Sequence, residues 1–126
     1  MIDVYNSVKD FHKAFNQLVA DEPSLPDQKT RDLRKKLLTE EYNEYIMGEE
    51  ANDLENIAKE LADIIYIVCG TAVSYGIDLN KVFAEVHRSN MDKLVDGKVQ
   101  YREDGKVLKP ESWTPPNIKQ FIEKVE

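Results

Sequence analysis

The sequence has little of what several common classes of protein require. Its one cysteine, Cys69, lies in the most apolar stretch, which excludes a disulfide framework and favours a buried, reduced thiol. No apolar run approaches the ~18 residues of a membrane span. The segment from Met1 to Tyr5 also lacks the basic region of an export signal. These absences predict a cytoplasmic protein that does not contact a membrane.

Basic charge is scarce as well. Lys and Arg number 17 against 24 Asp and Glu, and the net charge is −7. A nucleic-acid backbone is held by an excess of Lys and Arg, so we expect no nucleic-acid polymer as a partner. The Gly-rich phosphate loop and the H-E-x-x-H and G-x-S-x-G motifs are absent from the sequence too. A nucleotide held through a metal ion remains compatible with an acidic chain.

Two acidic clusters stand out once these classes are excluded. They are Glu40-Glu41-x-x-Glu44 and, after a gap of fifteen residues, Glu60-x-x-Asp63. The i, i+4 and i, i+3 spacings place Glu40 with Glu44, and Glu60 with Asp63, on shared helix faces. Hard cations such as Mg²⁺ take carboxylate oxygens together with waters and substrate phosphates. The sequence therefore predicts a divalent-metal site between two helices.

An exposed, charged helix surface is the alternative interpretation of the first cluster, because Glu is a good helix former. However, no Lys or Arg occurs in the four residues after Glu44, so downstream ion pairs cannot offset the repulsion between like charges. This absence argues against the surface interpretation.

Apolar residues recur at helical spacing in four segments, which predicts an all-α fold. Gly48 is predicted to end the second helix and Gly76 the third. The predicted helices cover 4–19, 27–47, a start at Asn52 or Asp53 through 75, and a start at Asp78 or Asn80 through 94. We expect one domain over residues 1–126, a four-helix bundle with its helical core at about 4–94 and a C-terminal extension at 95–126. Such a thin bundle leaves apolar surface uncovered, which predicts self-association.

The C-terminal extension has weaker patterns. Residues 96–108 alternate around Asp-Gly pairs and could form a small hairpin or an ordered tail, and 118–125 predict a last short helix.

The fourth helix and the extension carry candidate phosphate-binding residues. Asn90 and Lys93 share a helix face, where an amide and an ammonium could hold phosphate oxygens. A favourable interaction with the helix dipole is the alternative role for Lys93, and Lys109 has a similar standing. His12 and His87 have no His or Cys at metal-ligand spacing, so both are interpreted as surface or internally satisfied histidines.

The two acidic clusters resemble the E-E-x-x-E and E-x-x-D signature of the all-α nucleotide pyrophosphohydrolases. This is the superfamily of MazG, the dimeric dUTPases and phosphoribosyl-ATP pyrophosphohydrolase. The resemblance extends through residues 87–93 and 105–110 and covers roughly residues 29–116. It is greatest to the compact, single-domain MazG-like branch.

The resemblance implies a Mg²⁺-dependent enzyme, with Mn²⁺ as a substitute. It implies cleavage of a nucleoside or deoxynucleoside triphosphate, with dUTP or dCTP as candidates, to the monophosphate and pyrophosphate. It also implies dimers or tetramers with sites between neighbouring chains. The implied metal ligands are Glu41, Glu44, Glu60 and Asp63. Glu40 would hold a further ion or orient the attacking water, and the implied phosphate-binding residues are Asn90, Lys93 and Lys109.

Two other functions stay open at this point. One is hydrolysis of phosphoribosyl-ATP, disfavoured because residues 98–116 are more similar to the MazG-like branch. The other is a helical metal-binding or interaction protein without turnover. Phe11 or Phe15 could line a pocket for the base, although core packing is the commoner use of both.

Overall fold

The computed structural model describes residues 1–123, and every described regular element is a helix. The predicted all-α class is therefore confirmed. The chain divides into two compact units, Met1–Leu79 and Asn80–Glu126. The helices are α1 (Val4–Ala14), α2 (Gln28–Glu50), α3 (Leu54–Tyr75), α4 (Leu79–Met91) and α5 (Lys119–Ile122).

Helix α1 begins after Asp3, whose side chain accepts a hydrogen bond from the Asn6 amide at 3.1 Å. The predicted extension of this helix to residue 19 is wrong. Asn16 adopts a left-handed conformation with φ of 56°, and the amide of Gln17 donates to the carbonyl of His12 at 2.8 Å. Asn tolerates this conformation better than most residues, so the helix ends here.

Helix α2 begins after Asp27, whose carboxylate accepts from the Thr30 amide at 2.9 Å. The prediction that Gly48 ends this helix is wrong, because α2 continues to Glu50. A Cβ at Gly48 would lie 3.3 Å from side-chain atoms of both Asn56 and Ile57. This glycine therefore permits a close approach to the start of α3.

Both ends of α3 lie where the sequence predicts them. The Asp53 side chain accepts from the Asn56 amide at 3.1 Å, and Gly76 ends the helix with φ of 70°. Helix α4 is shorter than predicted and ends at Met91. The Lys93 and Leu94 amides then donate to carbonyls three residues earlier, which is a turn and not a continued helix.

The core of the first unit lies between α1 and the C-terminal half of α3. Val19, Ile77 and Leu79 pack against it. Its buried apolar residues are Tyr5, Val8, Cys69, Ala72 and Val73. The lone cysteine is buried, as predicted. Helix α2 packs along α3 from Gly48, beside Ile57, to Arg34, beside Ile67, and this second interface carries the acidic residues.

In the second unit, the segment predicted to be a small hairpin or an ordered tail contains two isolated antiparallel bridges. These bridges join Val95 with Lys98 and Tyr101 with Val107. Asp96 and Gly97 form the first turn with φ values of 50° and 73°. Helix α5 lies inside the predicted 118–125 segment, whose last two residues are outside the described part of the chain.

Among residues 1–123, no individual helix has both the length and the apolar composition of a membrane span. Only α3 and α4 taken together meet that criterion, by length and composition alone.

Candidate metal centre

Helices α2 and α3 bring together three of the five predicted carboxylates. Glu41, Glu60 and Asp63 each offer an oxygen within 4.8 Å of the oxygens of the other two. Glu60 is buried, and Glu41 and Asp63 are half-buried. The i, i+3 spacing on α3 and the packing of α2 against α3 account for this grouping.

Two oxygens of this group lack hydrogen-bond partners. The Oε2 atoms of Glu41 and Glu60 are buried, and nothing within residues 1–123 donates to either. Burying an unpaired carboxylate oxygen is costly, so native proteins usually pair such atoms or use them to coordinate metals. Clustered carboxylate oxygens are the donors that hard divalent cations take. These residues therefore fit a metal ion that would satisfy both oxygens.

The ionisation of Glu41 reflects the same crowding. Desolvation is the largest effect, followed by the neighbouring Glu60, Glu44 and Asp63 carboxylates, and together they raise the pKa of Glu41 to about 7. Without a cation, the group thus resists carrying its full negative charge. A divalent ion would reverse this preference by favouring the ionised carboxylates.

Lys59 is part of this site, although its role was not predicted. Its Nζ lies 2.8 Å from Asp63 Oδ2 and 3.3 Å from Glu60 Oε1. The hydrogen bond to Asp63 is the main reason why the pKa of Lys59 is raised. The side chain is 65% exposed, so it can leave the carboxylates without crossing a packed core. The i, i+4 spacing of Lys59 and Asp63 is the sequence signal that could have found it.

Glu44 and Glu40 lie outside the group formed by Glu41, Glu60 and Asp63. Glu44 is exposed and lies outside the group of three, yet it is close enough to Glu41 to raise the pKa of that residue. Glu40 is exposed on α2 and is turned about 100° from Glu41 around the helix axis. Metal ligation by Glu44 and a catalytic role for Glu40 therefore stay predictions.

The second unit gathers the three predicted phosphate-binding residues around Trp113. Lys93 donates to the Asn90 side-chain oxygen at 3.0 Å. The ammonium groups of Lys93 and Lys109 lie 6.0 Å and 4.6 Å from the centre of the Trp113 ring. The indole of Trp113 donates to the Ser89 carbonyl at 2.7 Å, which fixes the ring against α4. Trp113 was not predicted, because a contact across 24 residues of irregular chain leaves no periodic signal.

A family comparison adds to this geometry. The family model described as phosphoribosyl-ATP pyrophosphohydrolase matches residues 8–90, which is well over half of the chain. The chain belongs to this family. The family lies within the all-α nucleotide pyrophosphohydrolase superfamily, so the resemblance found in the sequence is confirmed. No curated protein matches the chain.

Phosphoribosyl-ATP pyrophosphohydrolases are hydrolases that act on acid anhydrides, and the predicted enzyme class is thereby confirmed. The matched region contains the five carboxylates of the two acidic clusters and Asn90, and it ends before Lys93 and Lys109. Within it, the carboxylates of Glu41, Glu60 and Asp63 could bind a metal ion.

Proposed function

We propose that the chain is a Mg²⁺-dependent hydrolase that converts a deoxynucleoside triphosphate, such as dUTP or dCTP, to the monophosphate and pyrophosphate. The observation that carries this proposal is the group of three carboxylates with two buried, unpartnered oxygens on the α2–α3 interface. Such oxygens favour a resident cation over an ordinary solvated acidic surface.

Each acidic residue has a proposed role. Glu41, Glu60 and Asp63 would hold Mg²⁺ or Mn²⁺, with Glu44 completing the set. When bound, such an ion neutralises phosphate charge and lowers the pKa of its coordinated water. Glu40, the remaining carboxylate of the cluster, would accept the proton of the attacking water and orient it. Lys59 would release Glu60 and Asp63 as the cation enters.

Asn90, Lys93 and Lys109 would bind the substrate's phosphate groups. An amide N–H and ammonium groups donate well to phosphate oxygens. The contacts with Trp113 support this role, because they hold Lys93 and Lys109 beside one indole ring and limit the entropy lost on binding. We further propose that the active protein is a cytoplasmic dimer or tetramer.

Phosphoribosyl-ATP is the second candidate substrate. The family match over residues 8–90 favours it, since that family is described by this activity. Both candidates share the release of pyrophosphate, so the carboxylates would have the same role in each.

A nucleotide panel with Mg²⁺ tests the proposal and separates the two candidates. The panel would contain the four canonical deoxynucleoside triphosphates, dUTP, the ribonucleotides and phosphoribosyl-ATP, and the products would be separated by chromatography. We expect pyrophosphate and a monophosphate, fastest with dUTP or dCTP. Turnover confined to phosphoribosyl-ATP would support the second candidate. Inorganic phosphate and a diphosphate as first products, or no turnover at all, would contradict both.

A further inference from the structure

A buried arginine lies on the same helix interface, away from the carboxylates. Arg34 of α2 is 7% exposed. Its Nε donates to Thr71 Oγ1 at 3.1 Å and its Nη2 donates to the Ile67 carbonyl at 2.8 Å. Both acceptors are neutral, and within residues 1–123 no carboxylate forms an ion pair with Arg34. Burial accordingly lowers the pKa of Arg34.

This guanidinium has donors to spare. A guanidinium carries five N–H donors, and the two hydrogen bonds to α3 use two of them. A buried cation without an anion is costly unless its donors are satisfied. An acceptor from outside the chain would therefore gain more at Arg34 than at an exposed arginine.

A cavity of about 230 Å³ adjoins Arg34. Leu18, Leu33 and Leu37 supply apolar wall, and His12 and Gln17 supply polar groups. The volume is below the roughly 300–1,000 Å³ of pockets for drug-sized ligands, so the cavity suits one ring and not a whole nucleotide.

Gly70 explains how the polar end of the cavity is assembled. A Cβ at Gly70 would lie 2.5 Å from Arg34 Nη2 and 2.9 Å from His12 Nε2, so any larger residue would displace both groups. His12 is buried, and its Nδ1 donates to the Leu18 carbonyl at 2.9 Å, which leaves Nε2 on the side of the guanidinium. Two polar side chains that line the cavity thus converge at one point.

The cavity and the metal centre are separated along the axis of α2. Arg34 precedes Glu41 by seven residues, which is two helical turns and about 10 Å along α2 on nearly the same face. On α3, the residues that hold Arg34 are Ile67 and Thr71, four and eight positions after Asp63. A group bound at Arg34 could therefore be joined by a short linker to phosphates at the carboxylates.

We propose that this cavity receives the pyrimidine base of the substrate, with Arg34 donating to a ring carbonyl oxygen. The inference rests on the proposed function, because it assigns the phosphates of the same molecule to the carboxylates. Uracil, thymine and cytosine each present a ring carbonyl, and a single ring suits the cavity volume. Adenine has no carbonyl; each of its ring nitrogens accepts a single hydrogen bond, and the N6 amino group beside N1 and N7 is a donor that would face the guanidinium. The adenine ring of phosphoribosyl-ATP is disfavoured for the same reason.

Binding of nucleosides to the metal-free protein tests this inference without turnover or phosphate. Deoxyuridine and deoxyadenosine would be titrated while the arginine Nε–H signals are followed by NMR. We expect saturable binding of deoxyuridine that shifts a single buried Nε–H signal. Deoxyadenosine should bind about 10-fold more weakly or worse. A wild-type protein that binds neither, or both equally, would overturn the assignment.

Three variants sharpen the test. Arg34→Gln removes the donors, and Leu33→Trp fills the cavity while leaving the hydrogen bonds of Arg34 to α3 in place. Both should weaken deoxyuridine binding about 10-fold or more, whereas the exposed Lys36→Gln should not change it. If Arg34→Gln fails to fold, Leu33→Trp decides. Unchanged binding by a folded Leu33→Trp protein would overturn the inference.

The two proposals can fail separately. Deoxyuridine binding without turnover of any triphosphate would leave the base site standing and remove the enzymatic function. Turnover with equal kcat/KM for dUTP and dATP, unaffected by Leu33→Trp, would keep the function and remove the base site.

Discussion

At the scale of single residues, Glu41 responds most directly to the state of the metal centre. Its pKa is raised from 4.5 to about 7 in the folded chain, chiefly by desolvation. The neutral carboxyl is therefore favoured by folding. Its contribution to stability is complete below a pH of about 4.5 and is lost as the pH rises through about 7.

We expect the metal-free protein to lose stability between pH 5 and 8. Urea unfolding in the presence of a chelator would measure this as a falling midpoint. The Glu41→Gln variant should show a much flatter profile over the same range, because its side chain does not titrate. Saturating Mg²⁺ should also flatten the wild-type profile. A wild-type midpoint that stayed constant without metal would show that Glu41 is not held in this way.

Lys59 is expected to compete with the metal for Glu60 and Asp63. Lys59→Gln should therefore bind Mg²⁺ several-fold more tightly than wild type, because no ammonium has to leave and one positive charge is removed. Isothermal titration calorimetry would measure the affinity. Lys35→Gln is the matched control, since Lys35 pairs with Asp32 on the surface. Equal affinities in the two variants would argue against competition by Lys59.

At the scale of helices, the sequence predicts the ends that have a local cause. Asp53 and Gly76 define α3 because a side-chain cap and a left-handed glycine are encoded at those positions. Gly48 is also a glycine after an apolar helical segment, but it allows close packing against α3 and does not end a helix. The residues around each glycine do not distinguish these two roles. The end of α1 at Asn16 likewise depends on contacts of the following segment with α3, such as the Ala20 amide with the Val73 carbonyl.

The sequence likewise predicts only some residues of the candidate site. Periodicity and charge predicted that carboxylates of two helices face one another, but on α2 they grouped Glu40 with Glu44. The structure instead brings Glu41 to Glu60 and Asp63, and Glu41 was implied as a ligand by the family resemblance. Arg34 could not be predicted, because its position depends on acceptors 33 and 37 residues away and on the space left by Gly70.

Gly76→Ala tests the helix end that the sequence does predict. Gly76 has φ of 70°, and a Cβ there would overlap the Glu22 carbonyl. Gly97 has φ of 73° but open space around its Cβ position, so Gly97→Ala isolates the backbone strain, which costs about 1–2 kcal/mol.

Gly76→Ala should cost clearly more than this, about 3 kcal/mol or above, because the overlapping atom is backbone and cannot rotate away. Chemical denaturation would compare the two free energies of unfolding. Equal losses would mean that the segment around Glu22 moves freely.

At the scale of the whole molecule, α3 presents a stripe of exposed apolar residues. Leu61, Ile65 and Val68 are 47%, 50% and 39% exposed, and their i, i+4, i+7 spacing places them on one side of the helix. Exposed apolar stripes of this kind mark surfaces that associate. A symmetric partner could cover the stripe with its own copy.

We predict that the chain is a dimer or tetramer at micromolar concentration, as measured by sedimentation. Ile65→Lys should shift the protein toward the monomer, because it places a charge in the stripe. Leu25→Lys is the control, since Leu25 is 71% exposed and lies in the loop before α2. A wild-type monomer, or equal dissociation in both variants, would refute this interface.

The central claim is that Glu41, Glu60 and Asp63 form a metal site. The most direct test is the Mg²⁺-induced change in melting temperature, with substrate absent. The wild type should be stabilised by Mg²⁺, by about 2.7 kcal/mol when the ion is at 100 times its Kd. Glu60→Gln and Asp63→Asn should melt at the same or a higher temperature than wild type without metal, because each removes one repelling charge.

The two variants should lose most of the Mg²⁺ effect, whereas the exposed Glu50→Gln on α2 should keep it. If Glu60→Gln and Asp63→Asn both retained the full shift, or if the wild type showed none at millimolar Mg²⁺, the three carboxylates would be an ordinary acidic surface.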